Sequence, residues 1–257
     1  MTETQTGGPA APVIRNLIAW RKQWHILVGG FFEPIFYLLG MGLGLGRIVG
    51  DIDLDGTPVR YAVFAAAGLM ASSAMQGVLL ATTFNFFFKL KFSRTFDSML
   101  YSPLQMGDVL TGEVLWAVAR AGLQSTVFLV VALGFGTVAS WWAVLSVPAC
   151  LLIALAFASL GTWVTTYVKA WTDFDLLNLG IMPMFLLSTT FFPLSVYPGW
   201  AHPLVQATPL YNGVALVRDL HTGLVGWHDV GHVIYLLGLS GVCAWLTTRR
   251  MRQRFLA

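Results

Sequence analysis

Six apolar stretches dominate the sequence, each close to the roughly 20 residues that a helix needs to cross a bilayer core about 30 Å thick. Of the 257 residues, 56% are hydrophobic and 11% are charged, and the mean hydropathy is +0.71. Soluble domains are about one quarter charged, so the composition predicts an all-α membrane protein with six transmembrane helices. The predicted spans cover residues 27–46, 61–82, 109–136, 141–166, 176–193 and 229–247.

Two segments precede the first span. Residues 1–12 are acidic, small and polar and lack the pattern of a cleaved signal peptide, which predicts a disordered cytosolic tail. Residues 13–26 place apolar and basic side chains on opposite helix faces, as in a helix lying in the membrane interface. The alternative is the wet first turn of the first span. We expect residues 13–257 to form a single transmembrane domain.

Prolines interrupt the chain between the fifth and sixth spans. Four of them, at positions 193, 198, 203 and 209, separate apolar pieces that are too short to span. Backbone of this kind is tolerated at membrane depth only when it is buried in protein or lines a cavity. The sequence therefore predicts re-entrant helices in a hairpin over residues 194–226.

The basic residues predict the orientation. With the N-terminus inside, eleven of the 15 Lys and Arg residues fall on the cytosolic side, and only Arg47, Arg60 and Arg218 fall outside. Both termini and residues 83–108 are then cytosolic. Because the basic residues are spread over short loops, nucleic acid is not an expected partner.

Three ionisable side chains, Glu33, Glu113 and Arg120, fall within predicted spans, where an unpaired charge is costly. We expect Glu33 to face the bundle interior, a partner or the inner interface. Glu113 lies one turn inside its span and can snorkel, whereas Arg120 is deeper and needs a partner. In the first span, the pairs Gly40/Gly44 and Gly42/Gly46 favour close helix packing; the alternative is a frayed, glycine-rich helix end.

Motifs of enzyme chemistry are weak. No lysine follows a glycine, so the sequence contains no P-loop for ATP. His228 and His232 have a spacing that can chelate a metal, but "HDVGH" lacks the glutamate of HExxH, and we predict wet interfacial histidines. The "DIDLDG" run at 51–56 is not followed by the glutamate of a calcium loop and predicts a solvated turn. We expect no cofactor or metal on this chain, and Cys150 and Cys243 as small buried hydrophobes.

Four stretches are more specific than this outline: "FFEPIFYLLGMGLGLG", residues 61–121, "LAFASLGTWVTT" and "PMFLLSTTFFPLSVYPGW". In this order they closely resemble the membrane subunits of type-2 ABC exporters, in the nodulation-factor (lipo-oligosaccharide) and daunorubicin-resistance branch. The resemblance implies a bacterial inner-membrane permease that pairs with an identical or similar permease subunit. It also implies two cytosolic ATPase subunits that bind ATP and Mg.

The resemblance further implies that the polar segment at 93–104, after the second span, contains a coupling helix that sits in a cleft of the ATPase. Phe96, Met99 and Leu100 have the spacing of groove anchors, Arg94 and Asp97 can pair at the rim, and Pro103 ends the helix. The alternative is an interfacial turn on lipid headgroups. The expected coupling residues are Arg94, Thr95, Phe96, Asp97, Met99, Leu100, Tyr101 and Pro103.

In such exporters the substrate path lies between two permease copies, along the first, second and fifth spans. Soft and aromatic side chains there suit an amphipathic molecule, such as a glycolipid or a hydrophobic drug. Plain packing or lipid contact is the alternative for each of them. The candidates are Phe31, Phe32, Tyr37, Met70, Met75, Met184, Phe185, Phe191 and Phe192.

Two other functions compete with ATP-driven export. One is a multi-pass membrane enzyme that uses the outer histidines, and it would be active without nucleotide. The other is an ion-coupled carrier or channel that depends on Glu113 and Arg120.

Overall fold

The computed structural model describes most of the helical bundle. The predicted tail at 1–12, most of the predicted interfacial helix and the whole of the predicted coupling segment at 93–104 lie outside the described residues. The described residues are 13–14, 16–17, 35–54, 56–91 and 106–255.

The first described helix, α1, consists of a π-helical stretch, Leu38–Leu45, that continues as Gly46–Val49. Helix α1 overlaps the second half of the predicted first span, 27–46. Residues 27–34 of that span lie outside the described residues. A β-hairpin follows, with β1 (Asp51–Leu54) antiparallel to β2 (Thr57–Arg60). Gly56, at φ 84°, closes its turn, because a glycine adopts this left-handed conformation without strain. The predicted solvated turn at 51–56 is thus part of a β-hairpin. The fold therefore contains a small sheet in addition to the helices.

Four long apolar helices coincide with the predicted second, third, fourth and sixth spans. Among the described residues, the segments long and apolar enough to cross a membrane are Tyr61–Phe88, Gly107–Gly134, Trp141–Thr165 and Trp227–Met251. The corresponding helices are α2 (Tyr61–Leu80, prolonged by a π-helical turn, Ala81–Asn85, and by Phe86–Lys91), α3 (Met106–Gly134), α4 (Ser146–Thr165, after a 3-10 turn, Trp141–Leu145) and α8 (Trp227–Phe255).

The fifth predicted span is shorter than the apolar sequence suggests. Helix α5 covers Asp173–Leu186, 14 residues, whereas the prediction extended it to residue 193. The chain leaves the helix after Leu187, whose N–H donates to the Pro183 carbonyl at 2.8 Å, and Thr189 adopts a left-handed φ of 57°. A β-branched residue rarely takes this conformation, so surrounding contacts must hold it.

Short helices fill the proline-rich segment. Two 3-10 turns, Leu194–Val196 and Gly199–Ala201, lead into α6 (His202–Gln206) and α7 (Pro209–Thr222). The Thr208 hydroxyl accepts from the Tyr211 N–H at the start of α7, and Gly223 at φ 85° ends it. One face of α7 is buried against α2 and α4.

The core lies where α2 and α4 pack together, and it is built from small residues and a few large apolar ones. Met70, Met75, Ile153 and Phe157 are fully buried among many alanines. Hydroxyls in this core donate to carbonyls one turn back, as Thr162 Oγ1 does to Ala158 O at 3.0 Å. Such bonds satisfy polar groups that have no water nearby. Cys150 and Cys243 are free and buried, as predicted.

Candidate functional site

A groove runs between α2 and α5, the helices of the predicted second and fifth spans, and is bordered by Tyr37 of the predicted first span. Its cavity has a volume of about 390 Å³. A smaller crevice between α2 and α3 shares Tyr37, Gln76 and Phe185 with it. The residues that line the larger cavity are Tyr37, Gln76, Leu79, Leu80, Thr83, Phe84, Asn178, Ile181, Met182 and Phe185.

The groove combines apolar walls with a few hydrogen-bonding groups. Leu79, Ile181 and Phe185 supply apolar surface, whereas Gln76 and Asn178 supply amides from facing helices. Ligand sites are typically apolar with a small number of placed polar groups that fix orientation. This arrangement suits a molecule that has both an apolar and a polar part.

The described residues of the predicted path lie in different environments in the structure. Tyr37 and Phe185 lie on the groove; Met184 and Phe191 are half-buried beside it, with the Phe191 ring edge-on to Phe185 at 5.5 Å. Met70 and Met75 are 1% and 0% exposed in the core, so they act as packing residues in this chain. Phe192 is 54% exposed, and Phe31 and Phe32 lie outside the described residues.

The turn after α5 is anchored on α2. The Ser72 and Thr190 hydroxyls are 3.0 Å apart, and the Ser188 and Thr190 hydroxyls are 2.7 Å apart. Gly68 makes room for this contact, since a Cβ built there would lie 2.7 Å from the Thr190 carbonyl oxygen. The backbone of the turn therefore packs against the backbone of α2, close to Ser72, which lines the crevice.

A buried cation completes this anchor, and sequence reasoning missed it. Arg218 of α7 is 6% exposed; its guanidinium donates to the carbonyl and the hydroxyl of Thr189 and lies 3.8 Å from the Phe64 ring centroid. Burial lowers the pKa of Arg218 to about 10, so the side chain stays charged at neutral pH. The sequence placed Arg218 among the outer loop charges.

The membrane-embedded ionisable residues are partly described. Glu113 is buried near the start of α3 and accepts from Asn16 Nδ2 at 3.2 Å, which ties the N-terminal segment to α3. Arg120 is half-buried on the same helix, and Glu33 lies outside the described residues. A Cβ at Gly40 or Gly44 would meet nothing within 4 Å, and one at Gly46 would meet only Ala62, at 3.9 Å. These three glycines therefore make no close helix contact with the described residues.

Comparison with known proteins agrees with the helical architecture. The family model for ABC-2 type transporters matches residues 11–220. Nodulation protein J of Rhizobium meliloti strain 1021 is 32% identical over 245 residues, which cover 94% of this chain and 92% of the relative. Nodulation protein J of Rhizobium leguminosarum bv. trifolii is 34% identical with the same coverage.

A more distant relative has a different role in its name. The daunorubicin resistance ABC transporter permease protein of Streptomyces coeruleorubidus is 28% identical over 248 residues, which cover 93% of this chain and 84% of the relative. The match to the family model covers most of the chain, and the relatives match nearly its whole length. The chain therefore belongs to the ABC-2 type transporter family, as an integral membrane subunit of the branch that contains these permeases.

Proposed function

We propose that this chain is the permease subunit of an ATP-driven exporter that moves an amphipathic, lipid-like molecule outward. The observation that carries the proposal is the groove between α2 and α5, which Tyr37 and Phe185 line together with the amides of Gln76 and Asn178. Aromatic and aliphatic walls take the apolar part of such a molecule, and the amides bind its polar part.

The energy comes from other chains in this proposal. ABC-2 permeases generally work with ATPase subunits, and this sequence has no P-loop of its own. Two cytosolic ATPase subunits bind ATP and Mg, and residues 93–104 form the helix that docks into them. Both termini are cytosolic, and the protein lies in the bacterial plasma membrane.

A second permease subunit, identical or similar, completes the path. Two features of the described chain support this part of the proposal. A Cβ at Gly40 or Gly44 would meet none of the described residues within 4 Å, and Leu176, Leu179, Met182 and Leu186 expose an apolar face on α5. Met182 of this face lines the groove, so a second copy packed there would cover the groove.

The substrate class follows from the groove and from the relatives taken together. The relatives are named for nodulation and for daunorubicin resistance. A glycolipid and a hydrophobic drug share an apolar body with a hydrogen-bonding end, and the groove offers both kinds of contact.

Reconstitution in proteoliposomes with the cognate ATPase subunits tests this function. Two probes, daunorubicin and a fatty-acylated oligosaccharide, cover the two substrate types. We expect at least one probe to stimulate ATP hydrolysis and to be transported only when ATP is present. Transport driven by an ion gradient without nucleotide, or chemical conversion of a probe without nucleotide, would contradict the proposal.

A further inference from the structure

A second site lies at the junction of α7 and α8, away from the groove. Asp219 stands one turn before the end of α7, and His228 and Asp229 stand in the first turn of α8. His228 Nε2 lies 3.0 Å from Asp219 Oδ2 and 3.8 Å from Asp229 Oδ1. One ligand atom of each residue lies within 4.8 Å of those of the other two, although the three residues come from two helices.

These separations suit a small divalent ion. Ligand atoms about 2.0–2.2 Å from a tetrahedral ion lie roughly 3.3–3.6 Å from one another. The two measured separations, 3.0 and 3.8 Å, bracket that range.

One acceptor in this cluster has no partner. Asp229 Oδ2 accepts from the Gly226 N–H at 2.8 Å, which fixes the carboxylate at the start of α8. Its other oxygen, Oδ1, is buried and accepts no hydrogen bond from the described residues, and the side chain is only 9% exposed. A buried carboxylate oxygen without a donor is costly, and this oxygen points toward His228 Nε2.

The local charge is also unbalanced. The carboxylates of Asp219 and Asp229 share a small volume, and like charges this close repel each other. The adjacent Arg218 guanidinium directs its hydrogen bonds to Thr189 and lies over Phe64 rather than binding these carboxylates. Among the described residues, the groups that hydrogen-bond to the two carboxylates are the His228 imidazole and the Gly226 N–H.

The surroundings allow an ion to enter and to be held. Two of the three residues, Asp219 and His228, line a polar cavity of about 370 Å³ to which His232 also contributes. His232 lies with its ring centroid 6.3 Å from that of His228. Its Nδ1 donates to Asn212 Oδ1 at 2.8 Å, so its Nε2 keeps a lone pair in the neutral ring. This pattern is typical of a histidine oriented for ligation.

We propose that Asp219, His228 and Asp229 form a binding site for a divalent transition metal ion of the Zn²⁺ class. Imidazole combined with carboxylate is the donor set that Zn²⁺ and its neighbours prefer over Ca²⁺ or Mg²⁺. Binding requires only that the neutral His228 carry its proton on Nδ1, which leaves Nε2 free for the ion. The bound ion joins α7 to α8 and so fixes the packing of the proline-rich segment against the last span.

This inference goes beyond the proposed function and does not depend on it, because binding is measured without ATPase or substrate. Full-length protein in detergent is stripped with chelator, dialysed against Zn²⁺ and analysed for bound metal, with the affinity taken from calorimetry. We expect one Zn²⁺ per chain in the wild type. His228→Ala and Asp229→Asn should bind Zn²⁺ more weakly by about tenfold to 100-fold or more.

The controls separate binding at the site from nonspecific effects. Asp175→Asn removes an exposed carboxylate on α5 and should leave Zn²⁺ affinity unchanged. The His228 side chain is 58% exposed, so His228→Ala is expected to fold, and a thermal melt without metal checks this. Zn²⁺ should raise the melting temperature of the wild type and not that of His228→Ala.

Three outcomes would overturn the proposal. The first is a wild type that retains no stoichiometric Zn²⁺ at micromolar concentration. The second is equal Zn²⁺ retention by the wild type, His228→Ala and Asp229→Asn. The third is equal affinity for Ca²⁺ and Zn²⁺, which would reject a site of the transition-metal class.

Discussion

Arg218 on α7 donates to both the carbonyl and the hydroxyl of Thr189, the residue whose left-handed backbone ends the fifth apolar segment. The guanidinium supplies the donors that this turn would otherwise lack, and the Phe64 ring of α2 covers it. One side chain therefore ties three elements, α2, the turn and α7, at a buried position. The contact holds the turn beside the groove.

Arg218→Met should destabilise the protein. Methionine keeps an unbranched apolar stem but leaves the buried Thr189 carbonyl without its donor, a loss of about 2–3 kcal/mol for bonds to a charged group. The measurement is thermal unfolding in detergent. Arg47→Met, at an exposed position on α1, is the matched control. Equal melting temperatures for the two variants would contradict this role of Arg218.

Gly68→Ala should also destabilise the protein, because the new Cβ would lie 2.7 Å from the Thr190 carbonyl oxygen. Overpacking of this kind costs about 1–3 kcal/mol. Gly238→Ala is the matched control, since a Cβ there meets nothing within 4 Å. It should be neutral or stabilising, by up to about 1 kcal/mol, because alanine favours a helix. A Gly68→Ala protein as stable as Gly238→Ala would show that the turn is not packed against α2.

His221 predicts a pH dependence of stability. The ring is 0% exposed, and burial lowers its pKa to about 4, below the unfolded value of about 6.5. The unfolded state therefore binds more protons between these values, so His221 contributes stability that is fully present above pH 6.5 and is lost as the pH falls toward 4. Burial raises the pKa of Asp219, which acts in the opposite direction.

Comparing the wild type with a variant that lacks His221 separates the contribution of His221 from that of Asp219. The free energy of unfolding is measured against pH for the wild type and for His221→Leu. The wild-type value should fall more steeply between about pH 6.5 and 4 than that of the variant. Parallel curves would mean that His221 is not held neutral in the folded protein.

Substitutions at Phe185 and Met75 distinguish the groove from the core. Phe185 lines the groove, so Phe185→Ala should reduce substrate-stimulated ATP hydrolysis per folded molecule. Met75 is fully buried, so Met75→Ala should lose about 2–5 kcal/mol of stability. Its substrate response per folded molecule should change little. If Phe185→Ala left stimulation unchanged for every transported probe, the groove would not be the substrate path.

The sequence predicted four of the spans well because each is a long, uninterrupted apolar run, and length is what a bilayer demands. It predicted the fifth helix too long, since Phe191 and Phe192 continue the apolar run while the left-handed Thr189 ends the helix. Hydropathy carries no signal for such a turn. The turn depends on donors from Arg218 that lie 29 residues further along the chain.

The polar sites were harder to predict because they depend on contacts between distant residues. The count of basic residues that predicted the orientation treats an arginine in a loop as a surface charge. It therefore misplaced Arg218, which is buried. The i, i+4 histidines of α8 were visible in the sequence, but Asp219 lies on another helix. The groove was anticipated only through family resemblance, and Met70 and Met75 of that set are core residues. Periodicity alone does not distinguish a helix face that lines a groove from one that packs in the core.

The most direct test of the central claim concerns the segment at 93–104, which is proposed to join this permease to its ATPase. Phe96→Ala, Asp97→Arg and a deletion of residues 93–104 are compared with Asp51→Arg, an exposed hairpin position predicted to lie on the opposite side of the membrane. The measurement is ATP-dependent transport together with co-purification of the ATPase. We predict that the first three variants lose both, while Asp51→Arg retains both. Intact transport after deletion of residues 93–104 would contradict the account.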